Sequence, residues 1–189
     1  KVVMGGFDRN QHKYSLACES LEGRRLMTVD VPFINAENVL VIIGDWNHDD
    51  VQVSTGNTDL IFVEDLTTGE AWEFDLDDVD WIYFEGNDGD DTLVNLAAIP
   101  TEAHGGFGDD RLEGGDASDT LLGDAGRDVL LGFGGRDVLE GGSGHDSLYG
   151  GTGNDTLLGG SGNDYLEDTS GRNLFDGGSG RNTIVKRRR

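Results

Sequence analysis

The second half of the chain carries one apolar residue in every nine. They are Leu112, Leu121, Leu130, Leu139, Leu148, Leu157, Leu166, Phe175 and Ile184, and Leu93 stands 19 residues before the first. Each lies in the middle of a triplet such as RLE, TLL, VLE or SLY. Six residues of glycine, aspartate and small polar types separate the triplets. Nine is not a helical period, and a strand of three residues is not stable alone. The spacing therefore predicts short strands joined by six-residue turns and stabilised only by stacking on one another.

The first half has a denser pattern. VDVPFI, VLVII, DVQVS, LIFVED, AWEFDL and VDWIYF are rich in β-branched and aromatic residues and are bounded by Asn, Asp and Gly. The whole chain thus reads as all-β. Residues 29–85 are expected to form wider or degenerate coils that cap the repeat, with Trp46, Trp72, Phe74, Trp81 and Phe84 as core. An independent small β-sandwich is the competing arrangement. GDWNHDDVQ, residues 44–52, is a degenerate unit with Asp49 and Val51 at the places of a repeat's aspartate and apolar residue.

From Gly105 the chain divides without gaps into nines: GGFGDDRLE, GGDASDTLL, GDAGRDVLL, GFGGRDVLE, GGSGHDSLY, GGTGNDTLL, GGSGNDYLE, DTSGRNLFD and GGSGRNTIV. A further unit, GNDGDDTLV, covers Gly86 to Val94, and NLAAIPTEAH separates it from the array. The pattern is G-G-x-G-x-D-x-U-x, with U apolar. It closely resembles the RTX nonapeptide repeat of secreted bacterial proteins, over roughly half the chain.

The resemblance implies a parallel β-roll, a right-handed β-helix of RTX type, across residues 86–185. Its turns would bind Ca²⁺, and two nonapeptides would make one coil. Carboxylates are the hard oxygen ligands that this ion prefers. The sixth-position residues then fall in two columns. One holds Asp91, Asp110, Asp128, Asp146, Asp164 and Asn182; the other holds Asp119, Asp137, Asp155 and Asn173. Asp91 joins its column if the ten-residue unit bulges by one. In the family, each ion sits between successive turns on one edge, held by two such aspartates and by backbone carbonyls. Here those carbonyls would come from Gly106, Gly108, Gly115, Gly126, Gly135, Gly142, Gly144, Gly151, Gly153, Gly160 and Gly162. This implies roughly five to seven ions, with the sites at Asp91, Asn173 and Asn182 the weakest. The bland alternative is that the acidic residues cap turns without an ion; Asn173 and Asn182 fit that role as readily. Ala117, Asp124 and Phe133 replace glycines of the pattern and are expected to strain their turns, with Gly134 and Gly135 compensating in the Phe133 unit.

Composition sharpens this picture. Of 189 residues, 37 are acidic and 14 basic, for a formal charge of -23. Such a chain repels nucleic acid, and acidity alone would suggest disorder. The period of the aspartates points to ligand supply instead. Cys18 is the only cysteine, so no internal disulfide forms. No run of 18 apolar residues predicts a transmembrane segment, and KVVMGGFDRN lacks the apolar region of a signal peptide. Glu19 to Met27, ESLEGRRLM, resembles the LEPR-XLL segment of planctomycete exported proteins, with Gly23 in the place of Pro and Met27 in that of a Leu. Residues 1–28 are expected to be a poorly ordered polar leader, and 186–189 a basic tail.

No catalytic constellation is recognisable. His12, His48, His104 and His145 show no zinc spacing, and neither Ser15 nor Cys18 has a partnered base nearby. The chain reads as a non-enzymatic extracellular calcium-binding protein with a structural, adhesion or scaffold role and an unidentified cell-surface or polysaccharide partner. The alternatives are an accessory module of a larger secreted enzyme and a cytoplasmic calcium sensor. Extracellular-type affinities of about 10⁻⁴ to 10⁻³ M disfavour the sensor.

Overall fold

The computed structural model describes residues 31–56, 59–168 and 170–186. The leader at 1–28, the segment Glu19 to Met27 and Arg187 to Arg189 lie outside the described residues. Among those described, everything regular is β apart from one short 3-10 turn, Leu76–Asp78.

Two long sheets face each other across a thin core. The first is ten-stranded and runs through Val39–Ile43, Trp81–Asp88, Thr101–Phe107, Thr120–Gly126, Val138–Glu140, Thr156–Leu158 and Leu174–Asp176. The second is nine-stranded and runs through Asp50–Thr55, Thr92–Asn95, Arg111–Glu113, Val129–Leu131, Ser147–Tyr149, Tyr165–Asp168 and Thr183–Lys186. Every pairing along both runs is parallel. Register is set by the ninth-residue pattern. Leu121 pairs with Leu139 and Leu139 with Leu157, while Leu112 pairs with Leu130 and Leu130 with Leu148. A one-residue slip would turn every leucine outward, and the leucines from Leu112 to Leu166 are all fully buried.

The ends of this row differ from expectation. Phe175 is only partly buried and Ile184 is 42% exposed. Their strands are the last of their sheets among the described residues.

The N-terminal strands continue the same two sheets. Val39–Ile43 pairs with Trp81–Asp88, and Asp50–Thr55 pairs with Thr92–Asn95. The residues between them form an antiparallel meander, in which Asp50–Thr55 pairs with Leu60–Asp65 and that strand with Ala71–Asp75. Wider parallel coils would not have given this. Phe84 is fully buried, and Trp72 and Phe74 pack against the core from the side. Trp46 does not join them: it is 82% exposed. It occupies the third position of its turn, which faces outward in the repeats as well, as at Ser143 and Thr152.

NLAAIPTEAH is not a spacer between repeats. Thr101–Phe107 enters the first sheet, with Ala103 in register with Leu121. The turn before it is organised by buried Asn95, whose amide donates to the Ile99 carbonyl and to Thr101 Oγ1. These residues supply the half-coil that the nonapeptide pattern lacks.

Candidate metal centre

From Asp91 to Asp146, each sixth-position backbone N–H donates to a carboxylate oxygen of the coil that follows. Asp91 donates to Asp110 Oδ1 at 2.8 Å, Asp110 to Asp128 at 2.9 Å, Asp128 to Asp146 at 3.0 Å and Asp146 to Asp164 at 3.1 Å. On the opposite edge Asp119 donates to Asp137 and Asp137 to Asp155, both at 3.0 Å. The structure therefore assembles both columns. The 19-residue step at Asp91 is absorbed without breaking a rung.

Both columns extend beyond the regular repeats. Asp49 donates to Asp91 Oδ1 at 2.8 Å across 42 residues, and Thr101 donates to Asp119 Oδ1 at 2.8 Å. Asp49 heads the first column. GDWNHD carries the turn pattern in the sequence, but the long insertion hides its spacing.

At the other end the asparagines keep the rung. Asp155 donates to Asn173 Oδ1 at 3.0 Å, and Asp164 to Asn182 Oδ1 at 2.9 Å. Their amide groups turn back on their own turns: Asn173 donates to the Ser170 carbonyl, and Asn182 to that of Gly177.

The rungs use one carboxylate oxygen each. The other, Oδ2, is buried and has no hydrogen-bond partner in Asp91, Asp110, Asp119, Asp128, Asp137, Asp146, Asp155 and Asp164. These residues are at most 2% exposed. A buried bare carboxylate oxygen is costly, so the columns lack a positive partner that the protein itself does not provide.

The unpartnered oxygens lie beside the first-position glycines. A Cβ built on Gly86 would lie 2.5 Å from Asp91 Oδ2 and 2.4 Å from the Gly105 carbonyl oxygen of the next coil. On Gly132 the corresponding atoms are Asp137 Oδ2 and Gly150 O, on Gly141 Asp146 Oδ2 and Gly159 O, and on Gly159 Asp164 Oδ2 and Gly177 O. Each cradle thus joins a carboxylate to a first-position carbonyl, an oxygen that the sequence reasoning did not name. That this position is glycine in every unit but one was the available signal.

The carbonyls that were named lie along the stack. Second-position oxygens accept from the next coil: Gly115 from Gly134, Gly142 from Ser161 and Gly160 from Ser179. Gly106 is paired between neighbouring strands, with Asn87 and Asp124. Fourth-position oxygens of Gly108, Gly126, Gly135, Gly144, Gly153 and Gly162 abut the fourth-position glycine one coil on, and Phe133 O, one coil earlier, abuts Gly151.

Burial moves the proton affinity of these carboxylates upward. Asp91 and Asp128 are pushed up to about 8, Asp49 and Asp137 to about 7, and Asp110 and Asp119 to about 6; Asp146 is also raised. Desolvation is the main cause. The rung hydrogen bonds oppose it, and in the inner columns neighbouring aspartates reinforce it.

The oxygen-only donor set suits a hard divalent cation. Among the described residues no three acidic, histidine or cysteine side chains converge on one point. A cation held here would draw on backbone oxygens as well as carboxylates. His48 pairs with Asp50 at 3.2 Å, and His145 Nδ1 accepts from Asn163 N–H on the exposed edge; neither enters a column.

Ala117 is unstrained, whereas Asp124 and Phe133 adopt φ of 64° and 66°.

Residues 103–130, 131–166 and 158–185 match a family model described as RTX calcium-binding nonapeptide repeat (4 copies). No curated protein and no solved structure matches the chain.

Proposed function

We propose, since residues 103–185 belong to the RTX calcium-binding nonapeptide repeat family, that this chain is an extracellular structural or adhesive element whose folding is driven by Ca²⁺. The observation that carries the proposal is the pair of columns of buried, unpartnered Oδ2 atoms from Asp91 to Asp164 and from Asp119 to Asp155. Bound calcium supplies positive charge to these oxygens. Asp91, Asp110, Asp128, Asp146 and Asp164 would hold ions on one edge, and Asp119, Asp137 and Asp155 on the other, with backbone carbonyls completing each site. Roughly five to seven ions are expected. Without them, rows of desolvated carboxylates repel one another behind a core one leucine deep.

The extracellular setting goes with an affinity of the extracellular-module class. Sites of about 10⁻⁴ to 10⁻³ M fill outside cells and stay empty at cytosolic calcium. Among the described residues no helix is long and apolar enough to cross a membrane.

The test is circular dichroism through an EDTA and Ca²⁺ titration, paired with calorimetric stoichiometry. The β signal should collapse in EDTA and return with calcium. An unchanged β spectrum in excess EDTA would defeat the proposal. The longer reading frame separates this role from that of an accessory module: a fused hydrolase or lyase domain would favour the module.

A further inference from the structure

Of the nine consecutive units, DTSGRNLFD departs from the pattern at three positions. It has Asp168 and Thr169 in place of the first two glycines and Asn173 in place of the sixth-position aspartate. The Asp168 carboxylate faces that of Asp155 across Gly150. A Cβ built on Gly150, one coil earlier, would lie 2.3 Å from Asp168 Oδ2 and 3.1 Å from Asp155 Oδ2. At Gly132, Gly141 and Gly159 the matching place is taken by the next coil's first carbonyl oxygen, 2.7 to 2.8 Å away. Here a carboxylate stands there instead.

Asp168 is 2% exposed and Asp155 is 1% exposed. Asp155 Oδ2 has no hydrogen-bond partner and is aimed into the same cradle. Asp168 Oδ1 is fixed by the Ser170 N–H at 2.9 Å. Asn173 keeps the rung to Asp155 but directs its amide donor to the Ser170 carbonyl. Asp137 senses the negative charge of both Asp155 and Asp168.

We infer that Asp155 and Asp168 together form a calcium site at the C-terminal end of the second column. Asp168 supplies the carboxylate that Asn173 does not. The column then keeps its count of negative ligands, and its last site is as fully charged as the inner ones. This rests on the calcium reading above and adds a ligand from outside the sixth-position pattern.

Calorimetric calcium stoichiometry of the full chain tests it, with circular dichroism to confirm folding. Asp168→Asn preserves the Ser170 contact and removes the charge. It should lose one ion, or weaken one site at least tenfold, while Asp176→Asn on the exposed neighbouring strand leaves every site intact. Asp168→Asn with all ions at wild-type affinity overturns the inference and leaves the other sites standing. A wild-type chain that binds no calcium overturns it together with the reading beneath it. If Asp168→Asn does not fold at saturating calcium, the double variant Asp168→Gly/Asn173→Asp decides. Full wild-type stoichiometry in that variant supports the exchange of one carboxylate for another. A folded double variant short of one ion overturns it.

Discussion

The Asn182 side-chain amide donates to the Gly177 carbonyl, while Asn182 Oδ1 receives the Asp164 N–H. It therefore keeps the rung made by every aspartate of its column. Where an aspartate presents a bare oxygen, it presents a hydrogen-bond donor. One atom exchanged for another closes the turn without a cation.

This predicts an opposite response to substitution with and without metal. Asp146→Asn should lower calcium stoichiometry by at least one ion. In EDTA it should raise the stability of residual structure by about 1–3 kcal/mol, because a buried unpaired charge is replaced by a satisfiable amide. Melting curves in EDTA and in calcium report both. A variant less stable than wild type in EDTA would count against the exchange.

Acid should substitute in part for calcium. Asp91, Asp128 and Asp137 have folded-state values of about 7 to 8, against about 3.9 in an unfolded chain. The folded form therefore binds more protons. Its metal-free stability is fully present below about pH 4 and is lost as pH rises through about 8. The EDTA-treated chain should melt at progressively lower temperature from pH 5 to pH 8, and calcium affinity should rise over the same interval. A metal-free melting temperature that climbs with pH would contradict this.

The stack is intolerant of side chains at its fourth-position glycines. Gly144 has φ 151°, and a Cβ there would lie 1.4 Å from the Gly126 carbonyl oxygen. Gly144→Ala should cost more than about 3 kcal/mol. Gly69→Ala is the control, since Gly69 has φ 74° but open space around it; about 1 kcal/mol is expected there. Chemical denaturation in saturating calcium compares the two, and equal losses would remove the steric explanation.

Phe133 carries backbone strain that its neighbours do not relieve. A bulky residue at φ 66° costs about 1–2 kcal/mol. Asn87 holds the same turn position at φ 74° with a side chain suited to it. Phe133→Asn should stabilise the calcium-loaded chain by about 1 kcal/mol. Since Phe133 is 45% exposed, little packing is lost. A loss of stability would show that the ring's contacts outweigh the strain.

The repeat made much of this structure legible. A nine-residue period with one apolar position fixes which residues face inward, and a doubled period fixes which aspartates share an edge. Three features escaped because their causes are not local. Asp49 is recognisable as the aspartate of a degenerate turn, but it lies 42 residues from the aspartate it bonds, so no spacing assigns it to a column. The strands around Leu60–Asp65 have the composition of either pairing direction, and only tertiary packing made them antiparallel. Asp168 stands where the pattern has glycine, and only Gly150, one coil away, shows where its carboxylate goes. The first-position carbonyls were missed because glycine there was read as a turn former rather than as the wall of a cradle.

The rungs run one way. Each coil's N–H is satisfied by a carboxylate or amide oxygen encoded 18 or 19 residues later through the regular array, as with Asp110 and Asp128 or Asp155 and Asn173. A chain emerging N-terminus first thus always leaves its newest coil one acceptor short. Every turn thus presents a donor that only its successor satisfies. Asn173 and Asn182 accept such donors while their own amides close back on the turns that carry them.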